Sequence, residues 1–129
     1  MSAPPKVLIV DDEALMGLIY QKHLEKAGYQ LLTAGTAEQG LAMIQNEKPA
    51  LIILDVILPA IDGLAALRKL KADEQTKAIP VIIITAATSQ EHYATLREAM
   101  TCGAAAFLTK PFGPDKLVSE IKRLAPTAC

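Results

Sequence analysis

Tryptophan is absent from this chain of 129 residues, and aromatic residues together make up 4% of it. Surfaces that bind single-stranded nucleic acid do so by stacking bases on aromatic rings, so that class of function is disfavoured. An excess of one charge is lacking too: 13 Lys and Arg stand against 14 Asp and Glu, a net charge of −1. Without a basic patch there is no electrostatic footprint for direct nucleic-acid binding by this segment. The two cysteines, Cys102 and Cys129, do not make a disulfide framework and read as free thiols of a cytoplasmic protein. No apolar run reaches the ~18 residues of a membrane span, so no membrane partner is expected. The opening Met1-Ser2-Ala3-Pro4-Pro5-Lys6 has no signal-peptide pattern, because the apolar stretch behind it is short and ends in acid. Met1 reads as a true N-terminus, and the closing "LAPTAC" leaves the other end open. Linkers, internal repeats and low-complexity tracts are missing as well.

What is present is a globular composition, 51% apolar and 21% charged. The length suits one domain, enough to bury about two-thirds of the surface its unfolded chain exposes. Short aliphatic runs recur: Val7–Val10, Tyr29–Thr33, Ala50–Leu54, Val81–Thr85 and Ala105–Thr109. They are continuous, not alternating, as strands of a parallel sheet covered on both faces must be. Helical patterns lie between them. Met16, Ile19, Tyr20, Leu24 and Ala27 form one stripe, with Gly28 as the stop. Thr36 with Gln39 reads as a capping box ahead of Ala37, Leu41 and Ile44. Asp62 suits the N-cap of a helix over Gly63–Lys71. Thr88 with Glu91 precedes Tyr93, Leu96 and Met100, with Gly103 as the stop. Leu117, Ile121 and Leu124 stripe the last helix. Met43 and Met100 read as packing residues, and His23 as packed or partly exposed rather than as a ligand. Five strand–helix units predict an α/β, doubly wound, five-stranded parallel sheet with five helices.

Ligands of such sheets bind outside the carboxyl ends of the strands. The residues at those ends are therefore the ones to inspect. The first strand runs into Asp11-Asp12-Glu13, the third into Asp55, the fourth ends in Thr85, and the fifth runs into Lys110-Pro111. Parallel strands bring these to one edge. Three carboxylates crowded together repel, and burial adds a desolvation cost. Glu13 reads as a helix-start acid favoured by the macrodipole, but the Asp pair with Asp55 suits a hard cation held by oxygen, of which Mg2+ is the natural one. Lys110 adds a second positive charge, and the hydroxyl of Thr85 can donate to a phosphate oxygen. An Asp between a divalent cation and a lysine is equipped to accept a phosphoryl group.

Four segments in order, "VLIVDDE", "ILDVILPAIDG", "VIIITAA" and "AAAFLTKPF", resemble the receiver domain of bacterial two-component response regulators, over residues 6–124. Residues 1–5 and 125–129 are then short tails. The resemblance implies a flavodoxin-like fold with strand order 2-1-3-4-5. It implies that Asp55 is the phosphoacceptor, and that Asp11, Asp12 and Asp55 hold Mg2+, Asp12 the more directly, with the backbone carbonyl of Ile57. Lys110 would contact the phosphoryl group, and Lys110-Pro111 resembles the family's cis peptide. Thr85 and Phe107 would be the switch pair, and Pro59, Asp62 and Gly63 match the loop after the acceptor. Phe107 stands where many members have Tyr, Ile57 where many are polar, and Ala86 and Ala87 leave room for a phosphodonor.

The implied function is a switch, not an enzyme with turnover beyond its own phosphorylation and slow autodephosphorylation. Its donor would be a sensor histidine kinase or phosphotransfer protein. Its output would be a downstream protein partner or an output domain outside this sequence, reached through the surface of the fourth helix, fifth strand and fifth helix. The alternative is a Mg2+-dependent phosphohydrolase on a related fold, but that would want Asp-x-Asp after its first strand and a cap insert. A flavodoxin-like electron carrier would want Ser, Thr or Gly in the acidic first loop.

Overall fold

Four or five aliphatic residues in a row leave a strand no polar face, so it must be covered on both sides. A computed structural model describes residues 4–11, 14–55, 63–86, 97–110 and 112–126, and shows how that cover is provided. The elements in chain order are β1 (Lys6–Val10), α1 (Ala14–Lys26), β2 (Gln30–Ala34), α2 (Ala37–Glu47), β3 (Leu51–Asp55), α3 (Gly63–Ala72) and β4 (Val81–Ala86). A helical stretch at 97–101 follows, here α4, then β5 (Ala106–Lys110) and α5 (Pro114–Leu124). All strands pair in parallel in the order β2-β1-β3-β4-β5, the order expected.

Alternate residues of each strand enter different cores. Val7, Ile9, Leu51, Ile53, Ile82 and Ile84 pack with Leu24 of α1 and with Leu117 and Ile121 of α5. Leu8, Val10, Ile52, Leu54, Val81 and Ile83 pack with Ala37 and Ile44 of α2, Leu67 and Leu70 of α3, and Ala99 of α4. Each fully buried Leu or Ile contributes roughly 1.5–3 kcal/mol over leaving it in water, so the two cores dominate the stability.

Local signals explain three of the helix ends. Gly28 and Gly103 stop their helices at φ 96° and 110°, left-handed values that favour glycine. Thr36 caps α2 by accepting from the Gln39 N–H at 3.1 Å, but the reciprocal bond comes from the Gly35 N–H to Gln39 Oε1, one residue before the expected donor.

Several expectations need correction. The strands extend past the last aliphatic residue, because the backbone ladder is indifferent to side-chain polarity: Asp55 pairs with Ile84, and Lys110 with Ala86. Tyr29 lies outside β2, since its N–H goes back to the Leu24 carbonyl at the end of α1. Ile19 is 61% exposed, not part of the buried stripe, because Tyr20 and Leu24 set the helix rotation. His23 is exposed, and so is Met100, at 42%, while Met43 packs against the core as expected. The Asp62 cap, the Thr88–Glu91 pair, Tyr93 and Leu96 lie outside the described residues. Among the described residues no helix is long and apolar enough to cross a membrane.

Candidate functional site

Register places the two described acids. Val10 of β1 is the partner of Leu54 in β3, so Asp11 and Asp55 each stand one residue further along adjoining strands, about 4.8 Å apart. Both are 5% exposed. The alternation that sends Ile9 and Ile53 into the α1/α5 core puts the two carboxylate residues on that same face. The Asp11 N–H donates to the Ala34 carbonyl at 2.9 Å, so β2 steadies the backbone where β1 ends.

Two other expected residues, Thr85 and Lys110, fall along the same edge. Thr85 is the register partner of Thr109, and Lys110 of Ala86, so both lie within a residue or two of the Asp55 level. Phe107, partner of Ile83, alternates with buried Ala106 and Leu108 and is 46% exposed. It stands outward on the edge strand. Asp12, Ile57, Pro59 and Pro111, with the Lys110-Pro111 peptide, lie outside the described residues. Among the described residues no group of three acids, histidines or cysteines gathers.

One supporting residue escaped the sequence reading. Tyr20 of α1 is buried, its hydroxyl donates to the Phe112 carbonyl at 3.0 Å, and its ring stacks on that of Phe112 with centroids 5.7 Å apart. In the sequence Tyr20 looks like one more apolar stripe residue. Only a buried tyrosine's need for a hydroxyl partner hinted at more.

Two buried carboxylates at adjoining strand ends repel each other, and a hard cation with oxygen preference reverses that term. The residues present therefore fit Mg2+.

Comparison with known proteins agrees. A family model for the response regulator receiver domain matches residues 7–122. The phosphate regulon transcriptional regulatory protein PhoB of Pseudomonas aeruginosa is 40% identical over 116 residues, covering 90% of this chain and 49% of that protein. Protein PilH of the same organism is 34% identical, covering 90% of this chain and 93% of its own length. The chain thus spans about half the length of the transcriptional regulators it matches and nearly all of PilH. Among solved structures, the Vibrio cholerae chemotaxis protein CheY4 superposes with a TM-score of 0.83 at 32% identity, over 95% of this chain and 99% of that one. The receiver domain of the Pseudomonas aeruginosa sensor histidine kinase PA1611, at 24% identity and TM-score 0.82, shares the fold and is described with magnesium in its active-site cleft. Fold and family match agree: the chain belongs to the response regulator receiver domains, the phosphoacceptor switches of two-component signalling.

Proposed function

We propose that residues 6–124 are the switch unit and that Asp55 is its phosphoacceptor. The observation that carries this reading is the pair of buried carboxylates, Asp11 and Asp55, at adjoining strand ends, on the edge where β5 ends in Lys110. Asp11, Asp12 and Asp55, with the Ile57 carbonyl, would hold Mg2+. When bound, the ion neutralises charge on the phosphoryl oxygens and offsets repulsion among the acids.

The chain's own residues do the rest. A carboxylate oxygen of Asp55 attacks the phosphorus of a phosphohistidine on a sensor kinase or phosphotransfer protein. The P–N bond breaks, its electron pair returns to the imidazole, and the ring takes up a proton to leave as neutral histidine. Lys110 stabilises the charge spread over the transferring group by electrostatics and position. The product carries about −1.5 to −2 charge where a single carboxylate stood. Thr85 donates its hydroxyl to a phosphoryl oxygen and moves toward it. Phe107, now outward, turns into the space Thr85 leaves. The surface of α4, β5 and α5 changes with it and meets a downstream partner or output domain. This is a population shift, and reversing a 1:99 equilibrium takes about 5.5 kcal/mol of differential contacts.

The reading places the chain in the cytoplasm, with slow self-dephosphorylation and no turnover of external esters. Acetyl phosphate with Mg2+ tests it by intact mass. One phosphoryl group is gained by the wild type and none by Asp55→Asn. Equal labelling of Asp55→Asn would remove Asp55 from its role, and rapid phosphate release from external esters would favour a phosphohydrolase instead.

A further inference from the structure

Lys110 is proposed above to touch the phosphoryl group, so whatever fixes the chain beside it bears on the chemistry. Phe112 follows two residues later, between the end of β5 and the start of α5. It is held across 92 residues of sequence by Tyr20 of α1. The hold has two parts. The Tyr20 hydroxyl donates to the Phe112 carbonyl at 3.0 Å. The two rings stack at 5.7 Å between centroids with 10° between planes. Tyr20 is itself fixed, because it is buried among the residues that join α1 and α5 to the sheet.

A stacked pair and a hydrogen bond at one residue restrict it more than either alone. The stack limits the ring, and the hydroxyl sets the direction of the Phe112 carbonyl ahead of α5. A leucine at position 20 would fill the core as well and provide neither. We propose that Tyr20 is a positioning residue for Lys110, acting through Phe112 to set how the β5–α5 connection presents the lysine to the phosphoryl group. This rests on the role given to Lys110 above.

The test is a double-mutant cycle in the full chain, with beryllofluoride as the phosphoryl mimic and apparent affinity read from amide spectra. Tyr20→Phe removes the hydroxyl, keeps the stack and should fold. It is expected to weaken beryllofluoride binding about three- to tenfold, the range of one net hydrogen bond, and to leave Mg2+ affinity unchanged, since the acids and not Lys110 hold the ion. In a Lys110→Ala background the same change should have no further effect. Equal weakening in both backgrounds, equal loss of Mg2+ affinity, or no weakening by Tyr20→Phe while Lys110→Ala weakens binding would each overturn the positioning role. If Lys110→Ala itself binds beryllofluoride as the wild type does, the lysine's own role fails and the inference goes with it.

Discussion

The two ends of the sheet gather different groups. At the amino end Lys6 and Lys71 are held by groups that tie helix ends and loops to the sheet. Lys6 meets Glu47 at 2.7 Å, and the Lys71 ammonium donates to the carbonyls of Lys77 and Ile79 at 3.0 and 2.8 Å. Desolvation holds the pKa of Lys71 below the ordinary lysine value, yet those carbonyls keep it in place. The buried Thr76 hydroxyl donates to the Leu70 carbonyl at 2.7 Å. At the carboxyl end the same strands bring two acids, Asp11 and Asp55, to 5% exposure at adjoining strand ends. A fold selected for stability alone has no use for like charges buried in adjacent positions. The difference teaches where to look for chemistry: the amino end ties loops and helix ends to the sheet, and the carboxyl end gathers the acids of the proposed phosphoryl site.

Mutations can break this contrast in order of size. Asp55→Asn should abolish phosphorylation by acetyl phosphate, while its urea midpoint stays at or above that of the wild type because one buried charge is gone. Ile121→Ala, in the core beneath α5, should cost about 2–5 kcal/mol in urea unfolding and leave the labelling of folded molecules intact. Gly40→Ala probes the acid end from behind. A Cβ there would meet Val10 Cγ2 at 2.8 Å, beside Asp11, and such overpacking costs about 1–3 kcal/mol. Thr76→Val at the amino end should cost about 1 kcal/mol and change neither Mg2+ affinity nor phosphorylation. Lys6→Ala should be smallest, under about 1 kcal/mol, since the pair is partly exposed. A Thr76 or Lys6 variant that lost phosphorylation while folded would erase the distinction between the two ends.

How far the sequence could be read follows the same line. Strand cores, both glycine stops and the Thr36 cap are local, and so legible. The strand-end acids stood out because aliphatic runs ending in Asp are costly without a reason. Ile19 and Met100 were misread as buried because spacing names a stripe and not the rotation that decides which edge of it is covered. The end of α2 carries no glycine: Lys48 takes the left-handed turn at φ 49°, a conformation its residue type does not announce. The partner of Tyr20 is illegible for another reason, since it is a carbonyl 92 residues away that only the folded topology brings near.

The most direct measurement of the central claim is the amide spectrum in Mg2+ with and without beryllofluoride, residue by residue, for wild type and Asp55→Asn. The account predicts shifts at Asp11, Asp55, Thr85 and Phe107 in the wild type, quiet amides at Gln30 and Leu51 at the amino end, and no such response in Asp55→Asn. The same shifts in Asp55→Asn, or none in either protein, would contradict it.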